Sequence, residues 1–516
     1  MSHDWVERAR AASEIYQTVC RTPLSFAPRL SAQLGQQVWL KREDLQPVHS
    51  FKIRGAMNAL LDLKSRGVDR VCAASAGNHA QGLALGAATL GMQATIFMPV
   101  TTPDIKVEAV LRLGARVELR GDGYDDSCSA AMDHAQSSGD TFVHPFDDPA
   151  VIAGQATIGL EIADQVDQPP DRVFLPVGGG GLLAGVGAVI KALYPTTRIV
   201  AVECSEAPSF SAALQAGKPV RMPPTSGFAD GIAVATVGRR TFEIARTIVD
   251  EVVHVTPDQI CAAVRDVYNE CRAVLEPAGA AAIAGMRVLE TDHTDQRWIA
   301  IASGANVNFD RLGHIVERAE LGAAREILFA ATIPEKPGAF LQFCRCIGSS
   351  YGITEFNYRF ESPTQAHVLV GVKAGGDAGG QILQRLECQY QVIDLTGNET
   401  AKAHIRHMIG GRPQLGMPER VFRFRFPERP GALLDFLTRL AGRWNISLFH
   451  YRNHGSSFGR VLVGFMVDDS DDEAFVKFMT ATGYDWVEDT KNPAYGLFSA
   501  AYCAPAEISA DKLEVV

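Results

Sequence analysis

The sequence predicts an α/β protein: a two-lobed region of largely parallel sheet over residues 1–320, then two copies of a smaller α+β module. Three observations carry that prediction. Short apolar, β-rich runs alternate with Ala/Leu-rich helical stretches through the first 320 residues. The texture changes near Arg325. From there on, segments recur at one constant offset of 93 residues.

In chain order, strands are expected at Arg70–Ala74, Ala94–Pro99, Val117–Leu119, Val173–Val177, Ile199–Glu203 and Trp298–Ala302. Helices are expected between them at Ala80–Leu90, Pro103–Leu113, Leu182–Leu193 and Cys261–Cys271. Thr102 is placed to cap the second of these, with Pro103 as its first residue. Strands alternating with helices predict βαβ units, and so many of them suit two lobes better than one small sheet.

The repeat rests on three matches. Ile333-Pro-Glu-Lys-Pro-Gly-Ala-Phe340 recurs as Phe426-Pro-Glu-Arg-Pro-Gly-Ala-Leu433. Ile353-Thr-Glu-Phe-Asn-Tyr-Arg359 recurs as Ile446-Ser-Leu-Phe-His-Tyr-Arg452, and Val368-Leu-Val-Gly371 as Val461-Leu-Val-Gly464. Each copy reads as strand, Pro-Gly turn, amphipathic helix, strand, turn, strand, giving modules at 325–400 and 420–495. Gly410–Pro418 is turn-rich and reads as the link, and the tail after Ala501 carries little periodicity.

Composition narrows the function classes. Of 516 residues, 47% are apolar and 21% charged, which excludes a wholly disordered chain. The net charge of −10 argues against a nucleic-acid or anionic-membrane binder, since both need cationic surface. No apolar run reaches the length of a membrane span, and Met1–Arg10 has no hydrophobic signal core. Ten cysteines without a CxxC pair read as reduced thiols of a cytoplasmic protein. His404 and His407 stand three apart without a nearby carboxylate motif, so no metal is expected.

Three motifs in the first 320 residues carry chemistry. Lys52 lies between Phe51 and Ile53 before a helical segment; a partly buried lysine loses its proton readily and can form a Schiff base. Ser75-Ala-Gly-Asn-His-Ala-Gln-Gly82 follows a strand and opens a helix, which suits a carboxylate. Gly178-Gly-Gly-Gly-Leu-Leu-Ala184 also runs from strand to helix, and its missing Cβ atoms let backbone amides approach a phosphate. Taken alone, the last motif also fits a dinucleotide fingerprint at Gly179, Gly181 and Ala184, with Glu203 as ribose ligand.

A Schiff-base lysine, a phosphate cradle and a carboxylate cradle are together what pyridoxal phosphate chemistry requires. Ser50–Gly55, Ser75–Gly82, Gly178–Leu182 and Ser303-Gly304 resemble the tryptophan-synthase-β class of these enzymes, fold type II. With the duplicated module, which resembles ACT-like pairs, the chain over residues 10–500 is similar to the biosynthetic threonine deaminase family. The resemblance implies that Lys52 holds pyridoxal 5'-phosphate, that Phe51 and the loop Gly178, Gly179, Gly180, Gly181 and Leu182 flank it, and that Asn78 and Ser303 contact its hydroxyl and ring nitrogen. It implies β-elimination of L-threonine to 2-oxobutanoate and ammonia, with Lys52 taking the Cα proton. Ser75, Gly77, Asn78 and His79 are the candidates for the substrate carboxylate, and Glu203 becomes a spectator.

For the repeats, the likeness implies inhibition by L-isoleucine, opposed by L-valine, in a homotetramer. Tyr358 and Tyr451 hold the same place in the two copies, each followed by arginine, and are candidate walls of an effector pocket. Three other readings stay open: a catabolic serine/threonine dehydratase, an NAD-dependent oxidoreductase, and a non-catalytic amino-acid sensor.

Overall fold

A computed structural model describes residues 2–121, 123–223, 228–309, 311–360, 362–375, 377–403, 405–407, 418–427, 432–440, 444–452 and 458–492. The link at Gly410–Pro418, except Pro418, the tail after Ala501, and His404 lie outside those residues. The chain divides into two compact units, Met1–Gly322 and Ala323–Val516.

The first unit contains two sheets. The larger has six strands in the order Leu24–Phe26, Gln37–Arg42, Arg297–Ala302, Arg172–Pro176, Arg198–Cys204 and Glu251–Val255, parallel except at the first pair. The smaller has four parallel strands in the order Arg116–Leu119, Gln93–Met98, Arg70–Ala74 and Thr141–Phe142. Central strands read as unbroken apolar runs because both faces are covered; every residue of Arg172–Pro176 is buried. One covering helix, Pro277–Val288, is rich in Ala and Gly, so it lies close on the sheet: a Cβ on Gly285 would press into Val202.

All four helix starts differ from the sequence reading: Asn78–Thr89 begins two residues before Ala80 and Gly181–Leu193 one residue before Leu182. Helix Asp104–Arg112 begins one residue late, with Pro103 itself at the N-cap; Thr102 is buried and caps nothing. Pro103 keeps an extended ψ of 140°, which the first helical residue cannot have. Helix Pro257–Cys271 begins four residues before Cys261. Thr256 accepts from the Gln259 N–H at 3.3 Å, and the Gln259 side chain returns to the Thr256 N–H at 2.8 Å.

The second unit is one eight-stranded antiparallel sheet, not two separate ones. Its order is Gln391–Asp394, Glu326–Pro334, Gln365–Lys373, Gly352–Arg359, Asn445–Arg452, Phe458–Met466, Glu419–Pro427 and Asp485–Glu488. The copies join where Gly352–Arg359 pairs with Asn445–Arg452, and there Asn357 lies opposite His450. These two residues are 93 apart, so they are equivalent positions, and a local two-fold axis passes between them. Both copies bulge at equivalent residues, Thr354 and Ser447. The Thr354 and Ser447 hydroxyls donate to Glu326 and Glu419, which are also equivalent. Each copy carries a second helix and a fourth strand that the sequence pattern did not announce, Ala378–Glu387 with Gln391–Asp394 and Asp472–Ala481 with Asp485–Glu488. Among the described residues no helix is long and apolar enough to cross a membrane, and no cluster of metal-ligating side chains occurs.

Candidate active site

Lys52 is the first residue of helix Lys52–Ser65, and the loop before it is stitched to the end of strand Arg297–Ala302. The Phe51 N–H donates to the Ser303 carbonyl at 3.1 Å, the Ala305 N–H donates to the His49 carbonyl at 2.9 Å, and Ser50 bridges Gly304. His49 turns through the left-handed region (φ 52°) to reach this register. Lysine and serine, 251 positions apart in sequence, therefore flank one site. The half-buried Lys52 amine donates to the Pro145 carbonyl at 2.9 Å and lies 5.4 Å and 5.9 Å from the ring centres of Phe51 and Phe146. Burial pushes it down from its ordinary 10.5 to about 8, although the nearby Glu276 carboxylate favours the charged form.

Phe146 also connects the lysine to the glycine loop. Strand Arg172–Pro176 ends in Gly178–Gly180 and helix Gly181–Leu193 follows, with Gly180 at φ 90°. A Cβ on Gly179 or Gly181 would run into Phe146, and one on Gly178 would meet the backbone of Ile232. The Gly179 carbonyl accepts from the Thr241 hydroxyl at 2.6 Å and from the Gly238 N–H at 3.1 Å, which fixes the loop from outside. The first amides of helix Gly181–Leu193 have no partner within the helix. A bare backbone cradle at the positive end of a helix, beside an amine near neutrality, fits the phosphate and aldehyde of pyridoxal phosphate.

The Ser75 motif lies at the end of strand Arg70–Ala74, before helix Asn78–Thr89. Ser75 accepts the Gly77 N–H at 3.2 Å, so the uncommitted amides there are those of the helix's first turn. Asn78 donates to Glu276 at 2.6 Å and accepts from Asn306 at 2.6 Å. Burial, with Asp230 adding to it, pushes the Glu276 carboxyl up to about 7. Glu276 and Asn306 are members of the site that sequence reasoning missed; a glutamate directly before Pro277, at a helix start where Ser, Thr, Asp or Asn is preferred, was the available signal.

The His79 ring is not a carboxylate ligand. It is 2% exposed, its Nε2 is bonded to the Val143 carbonyl at 3.2 Å, and burial pushes it down to about 3, so it is neutral with a bare Nδ1. Only its backbone N–H remains for an anion. Glu203 has a structural role: it accepts from the Phe210 and Ser211 amides at 2.7 and 2.9 Å, capping helix Ser209–Ala216.

The expected effector residues lie inside the second unit. Tyr358 and Tyr451 are buried at 3% and 2% exposure on the two central strands. The Tyr358 hydroxyl donates to Glu335, and the Arg359 guanidinium closes on Glu419 at 2.6 and 3.0 Å, across the two copies. The side chain of Arg452 is outside the described residues. Antiparallel pairing turns both tyrosines onto the helix-covered face, where Phe340 packs 4.9 Å from Tyr358.

Behind Lys52, helix Lys52–Ser65 is locked by buried charge. Arg54 donates to Glu43 at 2.8 Å and to Glu161 at 2.6 Å, and Lys41 donates to Glu161 at 2.6 Å; all four side chains are at most 1% exposed.

A family model described as pyridoxal-phosphate dependent enzyme matches residues 15–304. One for the C-terminal regulatory domain of threonine dehydratase matches twice, at 317–405 and 412–498. The chain is 46% identical over 505 residues to the L-threonine dehydratase biosynthetic IlvA of Burkholderia multivorans, covering 96% of this chain and 99% of that one. It is 46% identical over 499 residues to the enzyme of that name from Escherichia coli K12, covering 96% of each. Among solved structures, the processed form of threonine deaminase isoform 2 from Solanum lycopersicum aligns with a TM-score of 0.60 at 42% identity, covering 62% of this chain and 88% of that one.

Proposed function

Because this chain belongs to the pyridoxal-phosphate dependent enzymes, and within them to the biosynthetic threonine dehydratases, we propose that Lys52 is its cofactor lysine and proton carrier. The chain is a pyridoxal-phosphate-dependent threonine ammonia-lyase. It deaminates L-threonine to 2-oxobutanoate on the biosynthetic route to isoleucine, and its C-terminal repeats form a regulatory domain.

The observation that carries the residue assignment is the half-buried Lys52 amine held among Phe51, Phe146 and the Pro145 carbonyl, in register with Ser303. Gly178–Leu182 would hold the phosphate on backbone amides, with Ser303 and Asn78 toward the ring. When bound, pyridoxal phosphate supplies the electron sink that lets the Cα–H bond of threonine break. The first-turn amides of helix Asn78–Thr89 hold the substrate carboxylate at the helix's positive end, with Ser75 and Gly77 shaping the turn. Lys52, neutral in part near pH 7, takes the Cα proton as the β-hydroxyl departs. Phe51 and Phe146 exclude water from the amine.

We assign residues 1–320 to catalysis and residues 325–400 and 420–495 to the two regulatory modules. L-Isoleucine is the inhibitor and L-valine its antagonist in this reading; the protein is cytoplasmic and homotetrameric. Lys52→Ala tests the site. The full-length variant keeps its fold, loses turnover, and is no longer labelled when the cofactor adduct is reduced with borohydride. A variant that keeps a tenth of the wild-type activity overturns the assignment.

A further inference from the structure

We infer that Glu276 is a positioning residue that acts through Asn78, holding its amide in place when the cofactor binds. The inference rests on the cofactor placement above. Glu276 is the N-cap residue of helix Pro277–Val288, and its side chain makes no bond to that helix. It is 6% exposed, its own N–H donates to the Gly304 carbonyl at 3.2 Å, and its carboxylate crosses to Asn78 in the smaller lobe. Giving up a cap to reach a residue 198 positions away is a cost the helix alone does not explain.

The bonds around Asn78 determine its orientation. The Asn78 NH₂ donates to the Glu276 carboxyl at 2.6 Å. On the other side, Asn306 donates to both the Val48 carbonyl at 2.7 Å and Asn78 Oδ1 at 2.6 Å, so the Asn78 oxygen must face Asn306. One Asn78 N–H then remains uncommitted among the described residues, next to the lysine and serine loops, and available to an acceptor on the bound group. With Glu276 removed, Asn306 alone holds the amide, and the NH₂ loses the acceptor that completes its placement beside the site.

The test uses the full-length chain, stripped of cofactor and titrated with pyridoxal 5'-phosphate while the visible band is followed. Glu276→Ala is expected to bind about ten- to a hundredfold more weakly and to shift the band, because a hydrogen bond to a charged group is lost. Asn78→Ala does the same, and the double variant is no weaker than Asn78→Ala alone, since the first residue acts through the second. Glu276→Gln, whose amide oxygen can still accept, stays within about threefold of wild type. If Glu276→Ala fails to unfold cooperatively, Glu276→Asp replaces it, with the acceptor withdrawn by one methylene and the same loss expected. A wild-type constant and band in Glu276→Ala, or effects that multiply in the double variant, overturn the inference. A visible band that survives Lys52→Ala unchanged instead overturns the cofactor placement itself.

Discussion

The Lys52 amine makes a quantitative prediction that needs no turnover to check. Displacement from 10.5 to about 8 leaves roughly one amine in ten neutral at pH 7, against about one in three thousand for a solvated lysine, a gain of about 300-fold in nucleophile. The sign follows from burial: desolvation penalises the ammonium, so the proton leaves earlier, and the Glu276 carboxylate only partly restores it. The perturbation is pH, applied to the cofactor-free full-length chain from about pH 6 to about pH 11. A limiting amount of amine-reactive anhydride is added, and labelling of the Lys52 peptide is measured by mass spectrometry against that of the exposed Lys218. Lys52 labelling should rise about tenfold per pH unit at first and reach half its maximum near pH 8. Replacing Glu276 with Gln removes a charge that holds the proton on, so the midpoint should fall further. A Lys52 midpoint at or above about pH 10 would show a solvated amine and refute the reasoning.

Two further predictions concern the supports of the site. Arg54→Leu leaves Glu43 and Glu161 facing Lys41 alone and should cost about 3–5 kcal/mol in denaturant unfolding of the cofactor-free chain; a loss below about 1 kcal/mol would mean the network is not tightly coupled. Gly179→Ala drives a methyl group into Phe146 and should weaken pyridoxal phosphate binding at least about tenfold, while the far-ultraviolet circular dichroism stays that of wild type.

The sequence made the first unit legible because its signals are local. Apolar runs flanked by Gly and Pro marked Arg70–Ala74 to the residue and the other five expected strands to within one. The chemistry-bearing motifs stood at strand ends, where a parallel sheet gathers its loops. Helix starts slipped where a cap overrode apolar periodicity, as at Thr256. In the second unit the fourth strands were missed: Gln391–Asp394 and Asp485–Glu488 are short edge strands, half-exposed or more, with too little apolar pattern to register.

By itself, then, the sequence determined the α/β architecture of the first unit, the 93-residue repeat, and the set of lysine, serine and glycine motifs that implied the cofactor. Backbone propensity, turn chemistry and burial periodicity are properties of neighbouring residues, so a single chain displays them. Only the tertiary structure decided that Ser303 lies beside Lys52, that Glu276 and Asn306 hold Asn78, that the His79 ring is buried and bonded elsewhere, and that the two repeats close into one sheet with Tyr358 and Tyr451 inside it. A polar side chain is satisfied by whichever partner the fold brings within 3 Å of it, and for Asn78 that partner comes from 198 residues away.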